Sequence, residues 1–144
     1  MRRLALALAV LLPVLIGADD PRSELKKMEG TWSIESIEKD GQLMDATKLR
    51  KRSVVIQGDR YIVKEGNDIL EAGTYRVDPK QSPKHIDIRP TSGPFAGRVL
   101  LGIYQLGDDE RAICYAPPGS PRPKVFKTNP NSGEIFIIYK RVKN

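Results

Sequence analysis

The chain has 144 residues, of which 29% are charged and 40% apolar, and its formal net charge is +6. That length suits one domain with a core of its own, and the balance excludes a disordered chain or a helical membrane protein. A single cysteine, Cys114, excludes a disulfide framework within the chain, and the positive charge alone identifies no anionic partner.

Residues 1–18 read as an export signal. Arg2 and Arg3 precede an uncharged apolar run from Leu4 to Ile16, which is short for a bilayer span and interrupted by Pro13. Gly17-Ala18 supplies small residues ahead of Asp19, although Ile16 stands where a cleavage site prefers a small one. An uncleaved anchor therefore stays open beside cleavage. The expectation is a signal peptide at 1–18 and one domain at 19–144. The mature chain would have no transmembrane helix and would lie in the periplasm, the cell envelope or outside the cell.

Asp20-Pro21 can start a helix, with the carboxylate as cap and the proline in the first turn, and Leu25 and Met28 share one helical face. Gly30 breaks that helix. Trp32, the one tryptophan of the chain, then opens a first strand on the same face as Ile34. Ile37 has the opposite parity, so the pattern predicts a bulge near Glu35-Ser36. After the Asp40-Gly41 turn, residues 44–52 read as a short helix or loop across a barrel end, with Asp45 as cap and Leu49 inward. Residues 53–57 and 60–64 form a hairpin about Gly58-Asp59. A strand follows over 69–77, where Gly73 marks a bend or a close approach.

Residues 84–89 alternate strictly, with Ile86 and Ile88 facing one way and His85, Asp87 and Arg89 the other. Residues 98–106 and 110–116 form the most apolar hairpin. Pro117 to Pro123 reads as a polyproline-like loop, a weaker strand is expected at 124–127, and residues 134–142 close the sheet. About eight short strands in sequence order predict an all-β fold: an eight-stranded antiparallel barrel with a short N-terminal helix. Such a barrel holds packed side chains or one small ligand.

Gly30-Thr31-Trp32 after a helical turn resembles the Gly-x-Trp signature of lipocalins and their calycin relatives. Arg141 resembles the arginine that lies over that tryptophan at the barrel end. Together with Leu100-Leu101-Gly102-Ile103-Tyr104, Cys114-Tyr115-Ala116-Pro117-Pro118-Gly119, Arg122-Pro123 and Lys140-Arg141-Val142, these motifs resemble a lipocalin-like domain family abundant in planctomycete bacteria. The resemblance covers nearly all of residues 19–144 and implies the lipocalin-like barrel, without an assigned activity. The usual lipocalin disulfide is absent and the chain is short for a lipocalin, which argues against a large open cup.

Gly30, Trp32 and Arg141 are expected to form a structural floor through a cation–π contact. Cys114 lies mid-strand between Ile113 and Tyr115 and reads as buried rather than nucleophilic, because a nucleophile needs a lowered pKa and a base in reach. His85, the one histidine, sits among charged residues. No spacing suits zinc or calcium, and Asp108, Asp109 and Glu110 crowd a turn. No cofactor or catalytic residue is assigned, and an enzyme is a remote reading. Lys48, Arg50, Lys51 and Arg52, with Lys140, Arg141 and Lys143, are basic, but few aromatics interleave with them, so nucleic acid is not expected as a partner.

Tyr61, Tyr75, Tyr104, Tyr115, Phe126 and Tyr139 lie on strand-like segments and suit a barrel interior, since tyrosines give apolar area with a few polar points; Tyr75, Tyr104, Arg111, Tyr115 and Phe126 are the candidate ligand-binding residues. Arg111 shares parity with Ile113 and Tyr115. If that face points inward, a charge enters the barrel and can meet an anionic head group; if outward, Ala112 and Cys114 line the wall. Filled core and cavity both fit. The leading reading is a monomeric, non-catalytic domain binding a small, partly apolar or amphipathic ligand at a mouth framed by residues 91–97 and 117–123. A filled barrel that contacts a protein partner or serves the envelope is the alternative.

Overall fold

Short runs of alternating apolar and polar residues, punctuated by glycine turns, have one economical way to hide their apolar faces: they pair in sequence order and curl until the first strand meets the last. The computed structural model describes residues 20–144 and has that form; the leader-like stretch 1–18 lies outside the described residues. Helix α1 (Pro21–Met28) is followed by β1 (Gly30–Lys39), the short β2 (Gln42–Leu43) and α2 (Ala46–Leu49). Then come β3 (Arg52–Gln57), β4 (Arg60–Glu65), β5 (Asp68–Asp78), β6 (Lys84–Pro90), β7 (Leu100–Leu106), β8 (Glu110–Tyr115) and β9 (Ile135–Arg141).

Each main strand pairs antiparallel with the next, and β1 also pairs with β9, from Trp32↔Arg141 to Lys39↔Ile135. The result is a closed, eight-stranded, lipocalin-like barrel, with β2 as a small flap on β1. Closure leaves the eight main strands without a free edge. The register shifts between Ile34 and Ser36, so the bulge lies where the parity of Ile37 requires it, and both isoleucines are buried. The β3–β4 turn places Gly58 at φ +60°, a conformation that favours glycine.

Two glycines allow close approach of neighbouring strands beside tyrosines. Gly73 faces Tyr61 across β4–β5, and a Cβ there would stand 2.8 Å from a Tyr61 ring carbon. Gly102 faces Tyr115 across β7–β8, and a Cβ there would stand 3.0 Å from the Tyr115 Cβ. Either side chain would also meet backbone of the neighbouring strand, 2.4 Å from the Arg89 oxygen at Gly73 and 2.8 Å from the Cys114 oxygen at Gly102.

Helix α1 seals one end. Asp20 accepts a hydrogen bond from the Arg22 amide at 3.2 Å, and Pro21 occupies the first turn. The buried Glu24 pairs with Lys84 and accepts a hydrogen bond from the Tyr104 hydroxyl at 3.2 Å. Met28 is fully buried, and its carbonyl accepts a hydrogen bond from the Trp32 indole at 2.8 Å.

The connection from β8 to β9 departs from expectation. No strand forms at 124–127. Instead residues 116–134 fold along the outside of the barrel. Arg122 donates to the carbonyls of Ile86 and Gly102 at 3.0 and 2.7 Å and pairs with Asp87 at 2.7 Å. Thr128 is buried and donates to Glu38 at 2.7 Å through its hydroxyl. A segment rich in proline lacks the amide donors of a ladder strand, and these side chains hold it instead. Beneath it Ile103 and Cys114 are buried on the outer face of the wall.

Candidate functional site

The inward faces of the strands leave a cavity of about 480 Å³, open at the end opposite α1. Its walls are mainly aliphatic, with Ile34, Val54, Val63, Ile88, Ile113 and Ile137 among them. Tyr61, Tyr75, Tyr115 and Tyr139 add aromatic surface. Lys39, Arg52 and Glu71 are its charged lining residues, and Met44, Leu70 and Pro94 line it as well. Beside Met44 and Leu70, Leu43 is 75% exposed and Ile69 60%. The volume falls in the range of small-molecule sites, and the composition, apolar with a few polar points, matches theirs.

Tyr61 and Tyr75 stack with ring centroids 4.5 Å apart and planes 12° apart. The Tyr61 hydroxyl donates to Glu71 at 2.9 Å. Burial raises the Glu71 carboxyl above the usual carboxylate range, against the opposing effect of that hydrogen bond. Burial likewise pushes the phenols of Tyr61, Tyr115 and Tyr139 far above their ordinary value, so these rings stay neutral.

Arg111 settles the question of parity. Its side chain is fully buried and faces inward, on the same side of β8 as Ile113 and Tyr115. The guanidinium carbon lies 4.2 Å from the centroid of Tyr139, 5.3 Å from that of Trp32 and 5.7 Å from that of Tyr75. The charge thus sits between the Trp32 floor and two rings that line the cavity. None of its three side-chain nitrogens makes a hydrogen bond of ordinary geometry. The Tyr75 hydroxyl nevertheless feels the guanidinium, which pulls its pKa down against the larger upward push of burial. Each cation–π contact is worth about 0.5–2 kcal/mol, whereas a buried ion without polar partners costs several kcal/mol. The rings offset part of that cost and leave the donors without a hydrogen bond of ordinary geometry.

At the sealed end Arg141 lies 4.3 Å from the same Trp32 centroid. Its nitrogens donate to the carbonyls of Lys27, Glu29 and Asp108 at 2.7, 2.6 and 2.8 Å. Gly30 adopts φ +125°, and a Cβ there would meet an Arg141 nitrogen at 2.9 Å. The glycine, the tryptophan and the arginine therefore form one interlocked floor.

Of the five candidate ligand-binding residues, the structure brings Tyr75, Tyr115 and Arg111 to the cavity or directly beneath it. Two are placed elsewhere. Tyr104 is buried at the sealed end against Glu24, with the Lys84 ammonium 5.9 Å from its ring centroid. Phe126 lies on the outer segment, 5.9 Å from Phe136, because residues 124–127 do not form a wall strand. The mouth also differs from expectation: Pro94 of the 91–97 loop lines it, but residues 117–123 do not, being held along the outer wall by Arg122.

Tyr61 and Tyr139, expected on strands facing the interior, do line the cavity, whereas Glu71 was missed by sequence reasoning. No local pattern marks Glu71, whose place beside the Tyr61 hydroxyl follows only from the pairing of β4 with β5.

Cys114 and His85 do not meet. Both face outward, and Ile103 stands between them in register on β7. Two strand spacings are about 10 Å, too far for a thiol–imidazole hydrogen bond. The Cys114 thiol lies 3.6 Å from the Lys127 carbonyl, and burial pushes its pKa up to about 11. Among the described residues no group of three or more His, Cys, Asp or Glu side chains is arranged to hold a metal ion. No helix among them is long and apolar enough to cross a membrane. The basic residues separate as well, with Arg52 at the mouth and Arg141 at the sealed end.

The fold and the cavity define a closed antiparallel β-barrel with one open end and a buried cation beneath its hollow. The chain matches no family model, no curated protein and no solved structure.

Proposed function

We propose that the chain is an exported, non-catalytic binding protein that takes one small, partly apolar ligand through the open end of its barrel. The observation that carries this reading is the cavity of about 480 Å³, whose aliphatic wall is broken by a few tyrosines and charges. The exposed Leu43 and Ile69 give the entrance an apolar lip that suits a poorly soluble ligand. The non-catalytic part is supported by the raised Cys114 pKa and its separation from His85, which leave that thiol neither ionised nor near a base. Export rests on the leader-like sequence at 1–18, and kinship with the lipocalin-like planctomycete domains rests on the motifs from Gly30 to Val142.

Native mass spectrometry of the full chain from its own host, followed by denaturing extraction, tests the reading. A stoichiometric small molecule released on denaturation is the expected result. A bare protein mass, joined with no saturable uptake of an environment-sensitive apolar dye, overturns it.

A further inference from the structure

The buried Arg111 guanidinium has no anionic partner among the described residues and no hydrogen bond of ordinary geometry. Glu24, at the sealed end, is committed to Lys84 and Tyr104. Glu71, on the cavity wall, holds the Tyr61 hydroxyl. Tyr139 and Trp32 meet the cation with their rings, and Tyr75 meets it with its ring and, short of ordinary hydrogen-bond geometry, with its neutral hydroxyl. The two cations that line the cavity, Lys39 and Arg52, add positive potential toward the entrance. The hollow therefore has aliphatic walls, basic groups among its lining and, just behind the Tyr75 and Tyr139 rings that line it, a buried cation without an anionic partner.

We propose that the ligand of this cavity is an amphiphile with a single carboxylate head, which pairs with Arg111 beside Tyr75 while its apolar tail runs up the barrel toward Leu70 and Pro94. The inference rests on the small-ligand reading given above and names the ligand class. A carboxylate matches the planar edge of a guanidinium with two parallel hydrogen bonds. One negative charge balances the buried Arg111 guanidinium, whereas a dianion would bring a second charge into the apolar depth of the barrel. The tail replaces water along Ile34, Val54, Ile88 and Ile137.

Titration calorimetry of the full chain with decanoate, decan-1-ol and decyltrimethylammonium tests the assignment at constant tail length. Decanoate is expected to bind about tenfold or more tightly than the alcohol, as one charge-assisted pair implies, and the ammonium most weakly. Arg111→Met should erase the difference between decanoate and decanol and keep binding of the alcohol. A second reading needs no variant: the carboxyl carbon of 13C-labelled decanoate, followed by NMR in the bound state, should titrate below its free value. Equal affinities for acid and alcohol, or a bound carboxyl that titrates at or above its free value, overturn the carboxylate head and leave a neutral-ligand cavity standing. Failure of all three amphiphiles to bind overturns the small-ligand reading itself.

Discussion

Two arginines approach the same indole from different parts of the barrel, and their surroundings could hardly differ more. Arg141, at the sealed end, is 4.3 Å from the Trp32 centroid and spends its donors on three carbonyls. Arg111, inside, is 5.3 Å from that centroid and makes no hydrogen bond of ordinary geometry. Residue type and aromatic partner are the same, so neither distinguishes a structural arginine from one poised for a ligand. What distinguishes them is whether the polar atoms are satisfied. A satisfied guanidinium closes the barrel, and an unsatisfied one is what the proposed carboxylate would meet.

The contrast can be broken from the centre outward. Trp32→Ala removes the ring both cations share, and truncating so large a buried side chain should cost about 3–5 kcal/mol in urea unfolding. Arg141→Met keeps the stem and loses the carbonyl contacts, so a loss of about 2 kcal/mol is expected. Arg111→Met should move the other way in ligand-free protein, by about 1 kcal/mol of added stability, because it removes a buried charge without polar partners. If both arginine variants lost stability equally, the distinction would collapse.

The smallest effect is a pH slope. Glu71 has its carboxyl raised by burial, so on raising the pH the unfolded chain loses that proton before the folded one does. Its stabilising contribution is complete below the ordinary glutamate value and fades as the pH climbs through the folded-state value. Glu71→Gln should flatten this part of the stability–pH profile between mildly acidic and neutral conditions. An unchanged slope would mean that the carboxylate keeps its charge in the wall.

The barrel was legible because its signals are local. Period-two alternation gives the strands, Gly58 gives a turn, and the parity of Ile37 gives the bulge. The cavity was less legible for a physical reason. On β8, Arg111, Ile113 and Tyr115 face the interior, but Ala112 and Cys114 face the outer segment. Both sides of the strand are covered, so burial preference alone could not say which side is inside. The error at Phe126 has the same origin. A segment of prolines and small polar residues carries no periodicity, and its path is set by distant partners such as Asp87 and Glu38. The Gly30-Thr31-Trp32 motif, by contrast, was readable because Gly30 answers the close approach of Arg141 and Trp32 fills the floor beneath it.

The closure of β1 onto β9 also fixes where the chain ends emerge. The Val142 amide donates to the Thr31 carbonyl at 2.9 Å, and Arg141 reaches back to Lys27 at the end of α1. Both ends of the described chain thus leave from the sealed pole. A tether attached at either end, whether to a surface, a bead or a second protein, holds the barrel upright with its mouth facing away. Fusion at those ends should leave ligand traffic unhindered, and immobilising the molecule that way presents every mouth to the solution.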